Sequence, residues 1–172
     1  MSKTAFFTFG FIFFLTLIIP VCVIVKSVKF DQQCGGYLEQ AANANTVELA
    51  KERLDIAIKY IEDHNLTTGY TSVLWKTEDE NLEFWYRNIK ACRNELEEAM
   101  DLSQLEKSNV LMKVRESLKE SKGESGDKVI IPAGISRYPD NLLWGVLRTF
   151  FWLYFSVFII VIVAYCNEEY FY

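Results

Sequence analysis

Few residues of this 172-residue chain have the type and spacing that metal binding or catalysis requires. His64 is its only histidine. A Glu-x-x-His metal motif of the kind found in helical bundles would need glutamate at position 61, which is isoleucine. Carboxylates are frequent between residues 48 and 62, but lysines and arginines alternate with them, as on a solvated helix face. The sequence therefore predicts no metal ligands, no cofactor-binding residues and no catalytic residues.

Thiol chemistry would depend on four cysteines. Cys22 and Cys166 belong to apolar stretches, where cysteine behaves as a small apolar residue. Cys34 and Cys92 lie in the charged middle of the chain, where they would form one disulfide in an oxidising compartment or remain two buried thiols. A reactive thiolate needs an accessible, electropositive setting. Cys92 falls instead on an apolar stripe, so we expect it in the core.

Both ends of the chain have the length and composition of membrane spans. Residues 4–25 carry no charged side chain, and residues 142–167 carry only Arg148. A bilayer core of about 30 Å is crossed by roughly 20 apolar residues in a helix. We therefore predict transmembrane helices at 4–25 and 142–167, with a short tail at 168–172. Tryptophans and tyrosines near the ends of these stretches are typical of membrane interfaces.

The charges are concentrated between the two apolar stretches. The chain has 18 Lys and Arg against 23 Asp and Glu, a net charge of −5, and both signs are mixed along the middle. This mixture provides no basic face for nucleic acid. Positive flanks at Lys26, Lys29, Arg137 and Arg148 favour a cytoplasmic middle by the positive-inside rule. The rule weakens for loops longer than about 60 residues, and we expect an extracytoplasmic domain.

Residues 26–121 have the pattern of a helical domain. Two amphipathic helices are predicted from apolar positions spaced three and four apart, which are Val47, Ala50, Leu54, Ala57 and Ile61, then Leu82, Trp85, Ile89, Cys92 and Leu96. The second stripe resembles a coiled-coil seam. The fold class expected is an all-α membrane protein with two transmembrane helices flanking an antiparallel helical hairpin or small helical bundle.

Two details complete that expectation. Asn45 and Thr77 are the predicted caps of the two helices, and a further helix would carry Leu105, Val110, Val114 and Leu118 on its buried side. Residues 122–141 form a linker that contains an extended, β-branched segment.

The connection at 65–77 is long and apolar for a link between two helices, which is usually about 2–8 residues. In a hairpin it would form the membrane-distal tip. We expect a partner-binding surface there, because tyrosine and tryptophan are enriched at interaction hot spots. Its residues would be Leu66, Tyr70, Val73, Leu74 and Trp75. The alternative is that these side chains plug the end of the core.

These observations favour a non-enzymatic, membrane-anchored protein that serves protein interaction or assembly. Its expected partners are the lipid bilayer and another membrane protein or a second copy of the chain. The alternative is a ligand-sensing input domain that signals through a partner protein. An enzyme or cofactor-binding bundle has the least support, because no motif carries its chemistry.

Overall fold

The computed structural model describes residues 3–74, 76–121 and 127–170, and it is helical over most of that length. Contacts divide the chain into two units. The first comprises Met1–Lys26 with Asp140–Tyr172, and the second comprises Ser27–Pro139. Part of the predicted linker, residues 122–126, lies outside the described residues, as does the end of the predicted tail.

The first unit contains most of helix α1, Lys3–Phe30, and all of helix α6, Asn141–Tyr170. Within the described part of the chain, one helix is long and apolar enough to cross a membrane, at Asn141–Val163, with a mean hydropathy of 2.3. The second predicted span, residues 4–25, stays a prediction, since many of its side chains are outside the described set. Lys26 forms an ion pair with Asp140 at 3.7 Å.

The second unit holds four further helices and several short turns. A π-helical turn at Asp31–Gly35 leads into α2, Gly36–Ala42. Then come α3, Val47–Asp63, α4, Leu82–Glu98, and α5, Gln104–Leu118, while 3-10 turns occupy Glu78–Glu80, Ala99–Asp101 and Ile135–Arg137.

Side-chain caps fix where these helices begin. The α3 cap is Thr46, whose Oγ1 accepts from the Leu49 N–H at 3.2 Å, so the predicted cap Asn45 is one residue early. The α4 cap is Asn81, whose Oδ1 accepts hydrogen bonds from the N–H groups of Glu83 and Phe84. The predicted cap Thr77 precedes only a 3-10 turn. Ser103 and Glu106 form the capping box of α5.

The helices form a small bundle, because the chain reverses direction at residues 43–46. Helix α3 packs against α2 and the π-helical turn, and it also packs against α4. Near the end of α3, the ring of Tyr60 lies 5.9 Å from that of Phe30, so α3 has returned to the level where the unit begins. Residues 28–64 therefore form two helical segments packed against each other, which fits the small helical bundle among the expected folds and not the two-helix hairpin.

Both predicted apolar stripes lie in one core. Five large side chains of the two stripes show this. Leu54, Ile61 and Leu96 are completely buried, Ile89 is 1 % exposed and Trp85 is 5 % exposed. Burial of such side chains stabilises a fold by about 1.5–3 kcal/mol each. The core of the second unit therefore centres on the contact between α3 and α4.

The last part of the second unit is extended. Strand β1, Lys119–Ser121, pairs antiparallel with β2, Asp127–Val129, with Lys119 opposite Val129. The next residue, Ile130, accepts a hydrogen bond from Trp85 Nε1 at 2.8 Å. This bond holds the segment after β2 against α4, and the chain then continues to Pro139.

An ion-pair group joins α3 to α4 above this core. Asp55 accepts from Arg93 Nε at 2.8 Å and from Lys51 Nζ at 2.9 Å, and Arg93 also pairs with Glu97. Burial alone would raise the pKa of Asp55, but the two cationic donors outweigh it and hold that pKa below its usual range. The carboxylate is thus stabilised in the folded state.

This group predicts a small, pH-dependent contribution to stability. Because the folded pKa of Asp55 is lowered, its contribution is present above the unfolded pKa of about 3.9 and is lost as pH falls through the folded pKa. Asp55→Asn should reduce the free energy of unfolding at pH 7 by about 0.2–1 kcal/mol, the range of exposed ion pairs. Denaturant unfolding of both proteins should show the difference shrinking below about pH 4. A difference that stays constant down to pH 2.5 would contradict this assignment.

Candidate functional site

Loop 65–77 leaves α3 through a tightly bonded turn. Asn65 adopts a left-handed conformation with φ 54°, and the N–H of Leu66 donates to the Ile61 carbonyl at 2.9 Å. Leu66 is 4 % exposed, so it belongs to the core and not to a binding surface. His64 stacks on Tyr60 at 3.9 Å between ring centroids. Its Nδ1 lies 2.9 Å from the Tyr60 carbonyl, so the histidine side chain contacts the backbone of the last turn of α3.

The middle of the loop is fixed to two other segments. The N–H of Thr71 donates to the Glu80 carbonyl at 3.0 Å, and the N–H of Leu82 donates to the Gly69 carbonyl at 2.9 Å. From the last segment of the unit, the Tyr138 hydroxyl donates to the Thr68 carbonyl at 3.0 Å. The loop is therefore held to the start of α4 and to the segment by which the chain leaves the unit.

Three large apolar side chains among the described residues of the loop are exposed. Leu74 is 81 % exposed, Val73 46 % and Tyr70 37 %. Lys76 Nζ lies 5.5 Å from the centroid of the Tyr70 ring, a cation–π distance. Trp75, which the sequence assigned to the same surface, lies outside the described residues. The predicted surface thus divides into Leu66, which is buried, and Tyr70, Val73 and Leu74, which are accessible.

The position of this loop differs from the one expected. It contacts Tyr138, one residue before the unit ends at Pro139, and it follows the end of α3, which reaches the level of Phe30 near Ser27. The loop therefore lies at the end of the bundle where the chain enters and leaves, whereas the sequence placed it at the opposite tip. The reversal of the chain before α3 explains the difference.

The opposite end of the bundle has an exposed apolar helix face. Helix α5 buries Val114 and Leu118, but Leu105 is 73 % exposed and Met112 57 % exposed. Leu105 was predicted to lie on the buried stripe and does not. The start of α5 is fixed by its capping box and by the Lys107–Glu48 ion pair of 3.1 Å, so these apolar side chains are presented by a well-anchored helix.

A cleft that sequence patterns did not predict lies beside loop 65–77. Its volume is about 730 Å³, and it is lined by Ser27, Phe30, Asp31, Thr77, Asp79, Glu80, Glu120 and residues 128–136. Carboxylates lie on both walls. No local signal identified it, because its walls come from segments that are far apart in sequence.

The cysteines of the second unit are free thiols in the structure. Cys34 is completely buried, and burial raises the pKa of its thiol to about 12. Cys92 is 6 % exposed, and burial first, then the neighbouring Glu95, raise its thiol pKa. Both groups are protonated at neutral pH and are poor nucleophiles. They also have different surroundings, Tyr60 near Cys34 and Ser117 near Cys92.

Across the residues that the structure describes, no three His, Cys, Asp or Glu side chains are grouped closely enough to hold a metal ion. The chain matches no protein-family model, no curated protein and no solved structure. It is a mostly helical protein with one helix, among the described residues, that is able to cross a membrane.

Proposed function

We propose that this protein is a membrane-anchored, non-enzymatic subunit that serves protein interaction or assembly. In this proposal residues 4–25 and 142–167 both span the bilayer, and the helical unit between them is extracytoplasmic. Its partner is another membrane protein or a second copy of the chain. The apolar Asn141–Val163 helix supports the anchoring part of the proposal.

The observation that supports the interaction part is the outer face of α5. Leu105 and Met112 are seven residues apart and therefore lie on the same side of the helix. Both are largely exposed, while Val114 on the other side is 1 % exposed. Charged neighbours on this helix have partners within the chain, such as Lys113 with Glu95 at 2.8 Å. An apolar pair within a polar surround is the composition of a small protein-interaction surface.

The test uses the tagged full-length protein purified in mild detergent from its native membrane. The double variant Leu105→Glu, Met112→Glu should remove a co-purifying protein, or reduce the oligomer mass measured by light scattering. The matched control is Phe84→Glu, Asn88→Glu, which adds the same charge to exposed positions of α4. The control should keep the partner. A monomeric wild-type protein whose co-purifying proteins are identical in all three samples would contradict the proposal.

A second function, ligand sensing, is favoured by the cleft beside loop 65–77. The cleft is large enough for a small molecule. Among the described residues, its lining has four acidic residues, Asp31, Asp79, Glu80 and Glu120, against one basic residue, Lys128, which favours a cationic ligand. Ligand binding to the folded state alone raises the thermal midpoint. Spermidine and arginine as probes should therefore stabilise the wild-type chain but not Asp31→Asn, Asp79→Asn. An unchanged midpoint with both probes would count against a cationic ligand.

A further inference from the structure

Loop 65–77 is hydrogen-bonded to a residue that shortly precedes a candidate membrane span in the sequence. The Tyr138 hydroxyl donates to the Thr68 carbonyl at 3.0 Å, and the apolar helix begins at Asn141, three residues later. An extended chain covers at most about 3.3–3.6 Å per residue, so Tyr138 lies within roughly 11 Å of that helix start. This limit follows from the covalent chain alone.

The segment by which the chain enters the unit also lies near the loop. The ring of Phe30, five residues after Val25, lies 5.9 Å from that of Tyr60. Tyr60 in turn stacks on His64, directly before the loop. Both chain connections of the unit therefore reach the loop within a few residues of an apolar stretch.

The side chains that project from the loop have the chemistry of a membrane interface. Among the described residues of the second unit, Leu74 is the most exposed apolar side chain, at 81 %, and Val73 is beside it. The ammonium nitrogen of Lys76 lies 5.5 Å from the centroid of the Tyr70 ring. Tyrosine is enriched at the level of lipid headgroups, and lysine can place its ammonium in water while its stem covers apolar surface.

The loop presents these side chains from a fixed frame. Leu66 and Thr71 are both 4 % exposed. The main-chain bonds from Thr71 to Glu80 and from Leu82 to Gly69 close the loop on both sides of Tyr70. Little ordering would therefore be needed for Val73 and Leu74 to enter an apolar environment.

We infer that the exposed side chains of Tyr70, Val73 and Leu74 rest on the surface of the bilayer, with Leu74 inserted among the lipids. The inference rests on the membrane anchoring proposed above and identifies the lipid bilayer as the partner of this loop. The contact is apolar in character, because Glu78, Asp79 and Glu80 follow the loop directly and would repel anionic headgroups. Zwitterionic phosphatidylcholine is sufficient for it.

The test places a nitroxide spin label on Leu74→Cys in the full chain, reconstituted in phosphatidylcholine vesicles without any other protein. Collisions with oxygen, which concentrates in lipid, are compared with collisions with a water-soluble nickel complex. The control is Leu49→Cys, an exposed leucine at the start of α3, at the other end of the bundle and outside the proposed interaction face. Wild-type protein treated in parallel measures the label on the native cysteines, of which Cys34 and Cys92 are buried.

The ratio of oxygen to nickel collisions should be severalfold higher at Leu74→Cys than at Leu49→Cys. Equal ratios would overturn the inference, and so would a label at position 74 that is shielded from both reagents, because that result indicates a protein contact. A label on Phe150→Cys, 65 % exposed on α6, tests the anchor separately. Lipid-like collisions at position 150 with water-like collisions at position 74 overturn the loop contact alone, whereas water-like collisions at both remove the anchor as well.

Discussion

Replacing Leu96 with aspartate should unfold the helical unit of residues 27–139. Leu96 is completely buried on α4, in the core that α3 and α4 share. Truncating a core leucine to alanine typically costs about 2–5 kcal/mol, and an unpaired buried carboxylate costs several more. Domains of this size are stable by only about 5–15 kcal/mol. The substitution therefore removes most or all of the stability of the unit.

Limited proteolysis of the full chain in detergent measures this loss selectively, because cleavage sites within residues 27–139 become accessible while the apolar helix α6 stays in the micelle. Leu49→Asp is the matched control, since it introduces the same charge at a leucine that is 39 % exposed and lies outside the proposed interaction face. It should leave the cleavage pattern and the unfolding transition as they are in the wild type. If Leu96→Asp is as resistant as Leu49→Asp, the α3–α4 core has been assigned to the wrong residues.

The core could be predicted from the sequence because its pattern is local and strong. Leu54 and Ile61 on α3, and Trp85, Ile89 and Leu96 on α4, belong to apolar stripes spaced three and four residues apart, with charged residues between them. That spacing puts each set on one side of a helix whatever the helix packs against. All five side chains are buried in the structure, so the helices, their buried sides and their mutual contact are confirmed.

The direction of the chain before α3 was not predictable in the same way. Gly35 and Gly36 favour a break, because each glycine lowers the stability of a helix interior, yet the backbone continues through them as a π-helical turn into α2. The reversal comes at residues 43–46 instead, where Thr46 caps the returning helix. Whether the chain turns at the two glycines or at residues 43–46 depends on packing against α3, which local sequence patterns do not show. The expected position of loop 65–77 depended on that turn and was therefore wrong as well.

Helix α5 shows why a weak pattern misleads. Apolar residues occur on both of its sides. Leu105 fits the spacing of Val110, Val114 and Leu118 if one interval of five residues is accepted before the two intervals of four. The structure buries Val114 and Leu118 and exposes Leu105. Sequence spacing cannot choose between two apolar sides of one helix. Only the surface offered by α2 and α4 makes that choice.

The geometry of loop 65–77 yields the second large effect, at Gly69. Its φ of 104° is a conformation that residues with a side chain rarely adopt, and a Cβ there would overlap the hydroxyl oxygen of Tyr138. Backbone strain of this kind costs about 1–3 kcal/mol. Moving the hydroxyl away also breaks its hydrogen bond to the Thr68 carbonyl, which is worth about 0.5–1.5 kcal/mol. Gly69→Ala should therefore reduce the free energy of unfolding by about 2–4 kcal/mol.

A double-mutant cycle with Tyr138→Phe separates the two causes. Tyr138→Phe alone loses only the hydrogen bond, and in its background Gly69→Ala meets no hydroxyl, so the alanine should cost about 1 kcal/mol less than in the wild type. The remaining cost is the backbone strain, which Tyr138→Phe leaves in place. Denaturant unfolding gives the four free energies, and protease cleavage next to Tyr70 reports the loop itself, which Gly69→Ala should loosen. Equal costs in both backgrounds would show that Tyr138 does not restrict position 69. A cost below about 0.5 kcal/mol, less than the strain of one disfavoured residue, would mean that the loop does not need a glycine there.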